Sequence, residues 1–261
     1  RVAEDMRQTV RQAARAGTET LVIGPPGAGV SKVAEVIHLM SPRASGPFVK
    51  RAAARLDPPA LDAALLAAHG GSLFLDEILA LPMDSQYALL DRIESGSETR
   101  LIAGSTADLE EAARTGRFNA DLYYRLEVMR VRIPALSERP EDIPVLFRHY
   151  VAQAAEQAGL SAPEIGPDHL AALMAQDWPG NARSLMSAAM RFVLGMPDSA
   201  AEAAELGLAE QMARVERSLL IAALGRQNGR AAQAAEALKL PRKTFYDKLA
   251  RYGIRPEDYR R

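Results

Sequence analysis

The stretch that most constrains this chain is Thr20-Leu-Val-Ile-Gly-Pro-Pro-Gly-Ala-Gly-Val-Ser-Lys-Val-Ala-Glu-Val-Ile-His38, where an apolar run passes through a glycine-rich turn into an amphipathic pattern. That order reads as strand, loop and helix. The loop from Gly24 to Ser31 fits the phosphate-cradle pattern G-x-x-x-x-G-K-[ST] at every fixed position but one, where Val30 stands in place of lysine. In such a loop the backbone N–H groups and the helix N-terminus hold phosphates, the hydroxyl reaches Mg²⁺ and the lysine neutralises the terminal oxygens. Gly24, Gly27, Gly29 and Ser31 are therefore the nucleotide-binding candidates, and Val30 can neutralise nothing. Lys32 is a poor substitute, because two residues along a helix turn it by roughly 200° away from the position of Val30. Taken alone, the eight residues also fit a tight turn with no ligand, and the context separates the two readings.

A second apolar run, Gly70-Gly-Ser-Leu-Phe-Leu-Asp-Glu-Ile78, ends in adjacent carboxylates. This is the pattern of a buried parallel strand whose carboxyl end opens on a ligand crevice. Asp76 at that place can hold Mg²⁺ through water, and Glu77 can orient the attacking water in phosphoryl transfer. A plain strand ending at a polar turn is the alternative for this run by itself. Further strands are predicted at Leu21–Ile23, Pro47–Lys50, Thr99–Thr106 and Val128–Ile133, with helices at 57–69, 83–94 and 108–115 between them. Alternation with short connections predicts a doubly wound parallel α/β unit over 1–137. From 138 to 196 helical patterns are punctuated by Pro140, Gly159, Pro163 and Trp178-Pro-Gly-Asn181, which predicts a small helical subdomain; 197–207 reads as a linker.

The net charge of −1 excludes a general attraction to polyanions, yet residues 208–261 hold 12 Lys/Arg against 6 Asp/Glu. One end of the chain is thus a candidate polyanion binder. With no cysteine there are no disulfides or thiolate metal sites, and His38, His69, His149 and His169 are scattered without ligand spacing. No apolar segment approaches the ~18 residues of a membrane span, and no signal peptide opens the chain. These features predict a soluble, cytoplasmic chain without a membrane partner. A helical pattern already under way at Val2, running to Ala16, leads us to expect a further region upstream.

Residues 208–261 lay out a long helix (Leu208–Gln227), an Asn228-Gly229 break, a short helix (Arg230–Leu238), the turn Lys239-Leu240 and a helix beginning at Pro241. Helix, tight turn and basic helix is the helix-turn-helix pattern, an all-α DNA-binding unit. Arg242, Lys243, Thr244, Tyr246, Lys248 and Arg251 give the second member phosphate binders and side chains able to read base edges. A solvated basic bundle is the plainer alternative. Leu208, Met212, Val215, Leu219 and Ala222/Ala223 recur at helical spacing, and three small helices bury little core alone. Part of that stripe is expected to be a homodimer surface, with an inverted-repeat operator in double-stranded DNA as the partner.

These residues together resemble the output half of NtrC-class bacterial enhancer-binding proteins, nearest in flavour to the C4-dicarboxylate transport response regulators. The resemblance spans essentially the whole chain and rests on Gly71-Ser-Leu-Phe-Leu-Asp-Glu-Ile78, Gly116-Arg-Phe with Asp121-Leu-Tyr-Tyr-Arg-Leu126, Glu141-Asp-Ile-Pro144, Trp178-Pro-Gly-Asn-Ala-Arg183 and Leu240-Pro-Arg-Lys-Thr-Phe-Tyr-Asp-Lys-Leu249. It implies a AAA+ P-loop domain with a helical lid, followed by a Fis-type helix-turn-helix in a two-component regulator. It also implies that Asp76 and Glu77 are the Walker B pair, Thr106 sensor I, Arg125 an arginine finger and Arg183 the sensor II arginine that touches nucleotide.

The departures from the family pattern matter as much. Val30 replaces the Walker A lysine, Asn119 replaces a second finger arginine, and Ser184 replaces the glutamate after sensor II. Only Arg51 to His69 separate the second strand from Gly70, too few for the GAFTGA loop that grips sigma-54 in the family. Glu98-Thr99-Arg100 follows Ile93 so closely that the hairpin before sensor I looks shortened as well. The expectation is a DNA-binding regulator whose AAA+ domain binds ATP or ADP and Mg²⁺ weakly or not at all, and which serves self-association or nucleotide sensing rather than catalysis. The competing expectation is an ATP-hydrolysing remodeller of RNA polymerase holoenzyme that works without the lysine.

Overall fold

The computed structural model describes residues 2–196 and 208–259. The expected linker at 197–207 and the terminal Arg260 and Arg261 fall outside the described residues. The chain divides into two compact units, one of Arg1–Pro140 with Pro179–Arg183, the other of Glu141–Trp178 with Ser184–Arg261.

In the first unit five parallel strands lie in the order β2-β3-β4-β1-β5: β1 Thr20–Ile23, β2 Phe48–Ala52, β3 Ser72–Asp76, β4 Arg100–Ser105 and β5 Arg130–Arg132. Helices α1 (Val2–Ala16), α2 (Val30–Leu39), α3 (Pro58–Ala67), α4 (Met83–Glu94), α5 (Leu109–Arg114) and α6 (Ala120–Glu127) connect and cover them. Alternate strand residues feed two separate cores, because successive side chains point to opposite faces. Leu21, Leu73, Leu75, Leu101 and Ala103 pack with Leu61 of α3, Leu89 of α4 and Leu122 of α6. Their neighbours Val22, Phe74, Ile102 and Val131 pack instead with Val10 and Ala13 of α1 and Ile37 of α2. Burial on both faces accounts for the uninterrupted apolar runs and for the parallel, doubly wound arrangement expected from them.

Strand ends lie within one or two residues of expectation, and the shift is largest at β2 and β5. β2 continues to Ala52 although Arg51 and Ala52 are exposed, since an edge strand needs only backbone pairing on its inner side, here to Leu75 and Asp76. β5 is confined to Arg130–Arg132 and pairs with Leu21 to Ile23. The span Arg51 to His69 is filled by a 3₁₀ turn at Ala53–Arg55 and by α3, which starts at Pro58 behind the capping carboxylate of Asp57. Ala53, Leu56, Leu61, Ala64 and Ala68 from this span are all buried.

The second unit holds α7 (Ile143–Ala158), α8 (Pro167–Met174) and most of α9 (Asn181–Val193), then α10 (Leu208–Arg226), α11 (Ala231–Ala237) and α12 (Arg242–Arg251). Phe147, His169 and Phe192 meet ring to ring, with centroids 4.6–5.6 Å apart. The Trp178 indole N–H donates to the Leu173 carbonyl at 2.9 Å. The last three helices close over Leu220, Ala223, Leu224, Ala234, Phe245 and Leu249. The turn between α11 and α12 places Lys239 at φ 54, and Pro241 is the N-cap of α12 rather than a residue of its first turn. Among the described residues no helix is long and apolar enough to cross a membrane.

Candidate functional site

The loop after β1 has the backbone a phosphate cradle requires. Gly27 and Gly29 adopt φ +77 and +94, a region that costs a Cβ-bearing residue dearly. A Cβ on Gly27 would also lie 2.1 Å from the Gly180 carbonyl oxygen, so this position is fixed by close approach as well as by conformation. Gly29 caps α2 without a side-chain bond, and the first N–H groups of that helix, at Val30, Ser31 and Lys32, have no acceptor one turn back. Such a helix start favours an anion.

The loop carbonyls are held from far along the chain. Asn181, buried and at φ 48, donates its amide to Pro26 O at 3.0 Å and accepts from Leu136 N at 2.8 Å. The Arg183 N–H donates to Gly27 O at 3.1 Å, which places the expected sensor II residue against the loop. A cavity of 280 Å³ opens beside Gly24 and Pro25 and is lined by Ser105, Thr106, Tyr123 and Arg132. It does not include Ser31 or Asp76, so it adjoins the cradle rather than forming it. Burial and the neighbouring Glu127 push the Tyr123 phenol up to about 12.

Val30 turns inward. It is 8 % exposed and belongs to the core of Phe74, Ile102 and Val131. Lys32 points outward and pairs with Glu35 at 2.8 Å, as its helical position requires. The cation that does reach the site is one that sequence reasoning treated only as a strand residue. Lys50 of β2 pairs in register with Phe74 of β3 and so shares its face, the face of α2. Its ammonium stands 5.9 Å from the Phe74 ring centroid, donates to Ser31 Oγ at 2.7 Å and lies 3.8 Å from Asp76 Oδ2. The cradle therefore fits a phosphate chain, but the space between Ser31 and Asp76 that a divalent ion would use is held by an ammonium. Mg²⁺ does not fit this arrangement.

Glu77 sits at φ 54, ψ 62, a left-handed conformation for a side chain that has a Cβ. Its carboxylate accepts from Thr106 Oγ1 at 2.7 Å and from Thr106 N at 3.3 Å. The expected water-orienting and sensor residues are thus brought together, with the glutamate committed to the threonine. Arg125 is exposed on α6, where it can reach outward. Asn119, where the resemblance leads one to expect the other finger, is the cap of that helix: its Oδ1 accepts from Leu122 N at 2.9 Å.

On α12, Phe245 and Leu249 face inward while Arg242, Lys243, Tyr246, Asp247 and Ala250 form the outward face at helical spacing. Thr244 is half-buried on its flank, and Arg251 is exposed with its guanidinium 5.8 Å from the Tyr252 ring centroid. Lys248 departs from expectation: it forms an ion pair with Glu216 of α10, which also accepts from the Tyr252 hydroxyl at 2.6 Å. Those two bonds hold the Glu216 carboxyl below its ordinary range, and the bond to Glu216 pushes the Tyr252 phenol up. Asp247, not among the expected contacts, stands on the outward face beside Lys243. The expected stripe on α10 divides, with Ala223 in the core and Leu208, Met212 and Leu219 exposed; the side chains of Val215 and Ala222 fall outside the described residues.

Comparison with known proteins agrees with this layout. Residues 1–136 match the sigma-54 interaction domain, 137–218 the AAA+ ATPase lid domain, and 211–252 the Fis family of bacterial regulatory proteins. The chain is 39 % identical to the C4-dicarboxylate transport transcriptional regulatory protein DctD of Pseudomonas aeruginosa over 95 % of its own length and 62 % of that protein's, which is less than two thirds. It is 33 % identical to the nitrogen assimilation regulatory protein NtrX of Azorhizobium caulinodans, over 97 % of this chain and 68 % of that one. The crystal structure of NtrX from Brucella abortus superposes with a TM-score of 0.69 at 32 % identity, covering 97 % and 68 % of the two chains. The chain belongs to the sigma-54 interaction domain family of AAA+ proteins, in the NtrC-type arrangement of AAA+ domain, lid and Fis-type helix-turn-helix found in bacterial transcription regulators.

Proposed function

We propose that this chain is a cytoplasmic, sequence-specific DNA-binding regulator whose AAA+ domain no longer drives sigma-54 activation and serves self-association or nucleotide sensing. The observation that carries this reading is Val30, which puts a buried branched side chain where the family's phosphate-binding lysine belongs. The filled connection from Arg51 to His69 supports it, since residues committed to the core leave no loop to project toward a sigma factor. The alignment with DctD runs over 289 positions, more than the 261 of this chain, so that relative carries stretches without a counterpart here.

Arg242, Lys243 and Tyr246 would meet DNA in the major groove, with Thr244 and Arg251 at the flanks. The exposed Leu208, Met212 and Leu219 on α10 suit a two-fold contact between copies. Two recognition helices would then lie about 34–36 Å apart and read an inverted repeat. A second reading, an ATP-hydrolysing remodeller of RNA polymerase holoenzyme, is favoured by the retained Glu77–Thr106 pair and the outward Arg125.

Two assays on one preparation decide between them. Selection from a random duplex pool is expected to enrich an inverted repeat, and transcription with sigma-54 holoenzyme is expected to show no stimulation with any nucleotide. A pool that does not converge would overturn the DNA assignment, and stimulated open-complex formation would overturn the loss of sigma-54 activation.

A further inference from the structure

Ser31 and Asp76 are the two groups from which a phosphate loop of this kind holds its divalent ion. Here a single ammonium serves both: Lys50 Nζ donates to Ser31 Oγ at 2.7 Å and stands 3.8 Å from Asp76 Oδ2. The strand register produces this, because Lys50 pairs with Phe74 and therefore lies on the same face as Asp76, two residues further along β3. The ammonium lies over the Phe74 ring and reaches Ser31 in the first turn of α2. A Mg²⁺ ion would need oxygen ligands at ~2.0–2.1 Å in octahedral order. It cannot take Ser31 while a like-charged group is bonded to that oxygen.

The loop has meanwhile lost its own cation to the core at Val30, and Lys32 is drawn away to Glu35. We infer that Lys50 is the resident cation of the cradle, so that the site takes the polyphosphate of a nucleoside di- or triphosphate without Mg²⁺. An ammonium has three donors. One is used on Ser31, and two remain to serve phosphate oxygens lying over the N–H groups of Val30, Ser31 and Lys32. Asp76 keeps the ammonium in place instead of holding a metal. The inference rests on the reading of Gly24 to Ser31 as a phosphate cradle.

The test is a calorimetric titration of the whole chain with ATP and with ADP, in EDTA and in excess Mg²⁺, alongside Lys50→Met and Lys50→Arg. Wild type is expected to bind at least as tightly in EDTA as in Mg²⁺. Lys50→Met is expected to weaken binding in EDTA by about tenfold or more, and to recover when Mg²⁺ is added, since Ser31 and Asp76 are then free to hold the ion. Lys50→Arg, which keeps the charge, should remain independent of Mg²⁺. Wild-type binding that falls tenfold or more on chelation overturns the inference whatever the variants do, as does a folded Lys50→Met that binds like wild type in EDTA. Absence of binding to wild type at millimolar nucleotide also overturns it. DNA selection on the same preparation then tells whether the regulator reading stands by itself.

Discussion

Replacing Val30 by lysine completes the phosphate-loop pattern, and its two expected effects have opposite signs. Val30 is 8 % exposed, and its Cγ1 lies 2.8 Å from where a Cβ on Gly104 would sit, so the side chain fills the space over that glycine next to Phe74. Exchanging the branched side chain for an unbranched stem removes about one buried methyl, which costs ~0.5–1.5 kcal/mol. The new ammonium must also leave the core along the loop, where it meets the charge of Lys50 bonded to the adjacent Ser31. We therefore expect the free variant to be less stable than wild type by about 1–3 kcal/mol. With nucleotide bound, the added cation makes a charge-assisted contact of ~1.5–3 kcal/mol. That corresponds to a dissociation constant lower by about 10- to 150-fold. Chemical denaturation of the free chain and calorimetric titration with ATP and ADP measure the two halves separately. A variant that is destabilised but binds no tighter would refute the reasoning, because Gly27 and Gly29 would then serve a turn and not a cradle. Unchanged stability would refute the inward placement of Val30.

Four further outcomes follow from the same geometry. Gly104→Ala sets a Cβ 2.8 Å from both Phe74 Cζ and Val30 Cγ1, and should cost ~1–3 kcal/mol by overpacking; urea melts should show part of this recovered when Val30→Ala is added. Asn119→Ala removes the cap of α6 and should cost ~0.5–2 kcal/mol, read in the same melts. Because the Glu216 carboxyl is depressed in the folded chain, its contribution is present above the ordinary value of 4.5 and is lost as pH falls below it through the folded value. Hydrogen exchange of residues 242–251 should accelerate over that acid window in wild type and show no such step in Glu216→Gln. Arg242→Ala should weaken DNA binding and make the salt dependence shallower by about one counterion, whereas Lys248→Ala should act mainly on the stability of the last three helices; equal losses of DNA affinity in a binding titration would contradict the Lys248–Glu216 pairing.

Much of the fold was legible because the chemistry left few choices. Runs such as Leu73 to Leu75 have no polar face and must be buried on both sides, and Gly27 and Gly29 mark the two positive φ angles of the loop. α1 and α4 have the extents expected from their periodicity. What escaped notice depends on register between distant segments. Nothing near Lys50 in sequence tells that Phe74 lies opposite it, and this pairing alone carries its ammonium to Ser31. The same holds for Lys248, where a basic residue on a helix can serve DNA or an internal carboxylate equally well and the partner lies 32 residues upstream. On α10 two apolar stripes lie side by side, since Leu219 and Leu220 are adjacent; packing assigned Leu220, Ala223 and Leu224 to the core. Asn119 could be recognised as a departure from the family, but its work as a cap appears only once α6 is seen to begin after it.

The bonds from Asn181 and Arg183 to the loop carbonyls bear on how the protein is made. By the time residue 140 has been synthesised, every strand of the sheet and every helix that covers it is in hand, and the first unit can collapse. The carbonyls of Pro26 and Gly27, however, find their donors in residues 155 or more positions later in the chain. A nascent chain paused before Pro179 would hold a closed sheet whose glycine loop still faces water at both carbonyls. Since domains form as units while synthesis proceeds at about 5–20 residues per second, the loop waits roughly 8 to 30 seconds after its own strand is complete. Limited proteolysis of stalled ribosome complexes should find cleavage near Pro25 to Ala28 until Arg183 has left the exit tunnel, and protection afterwards.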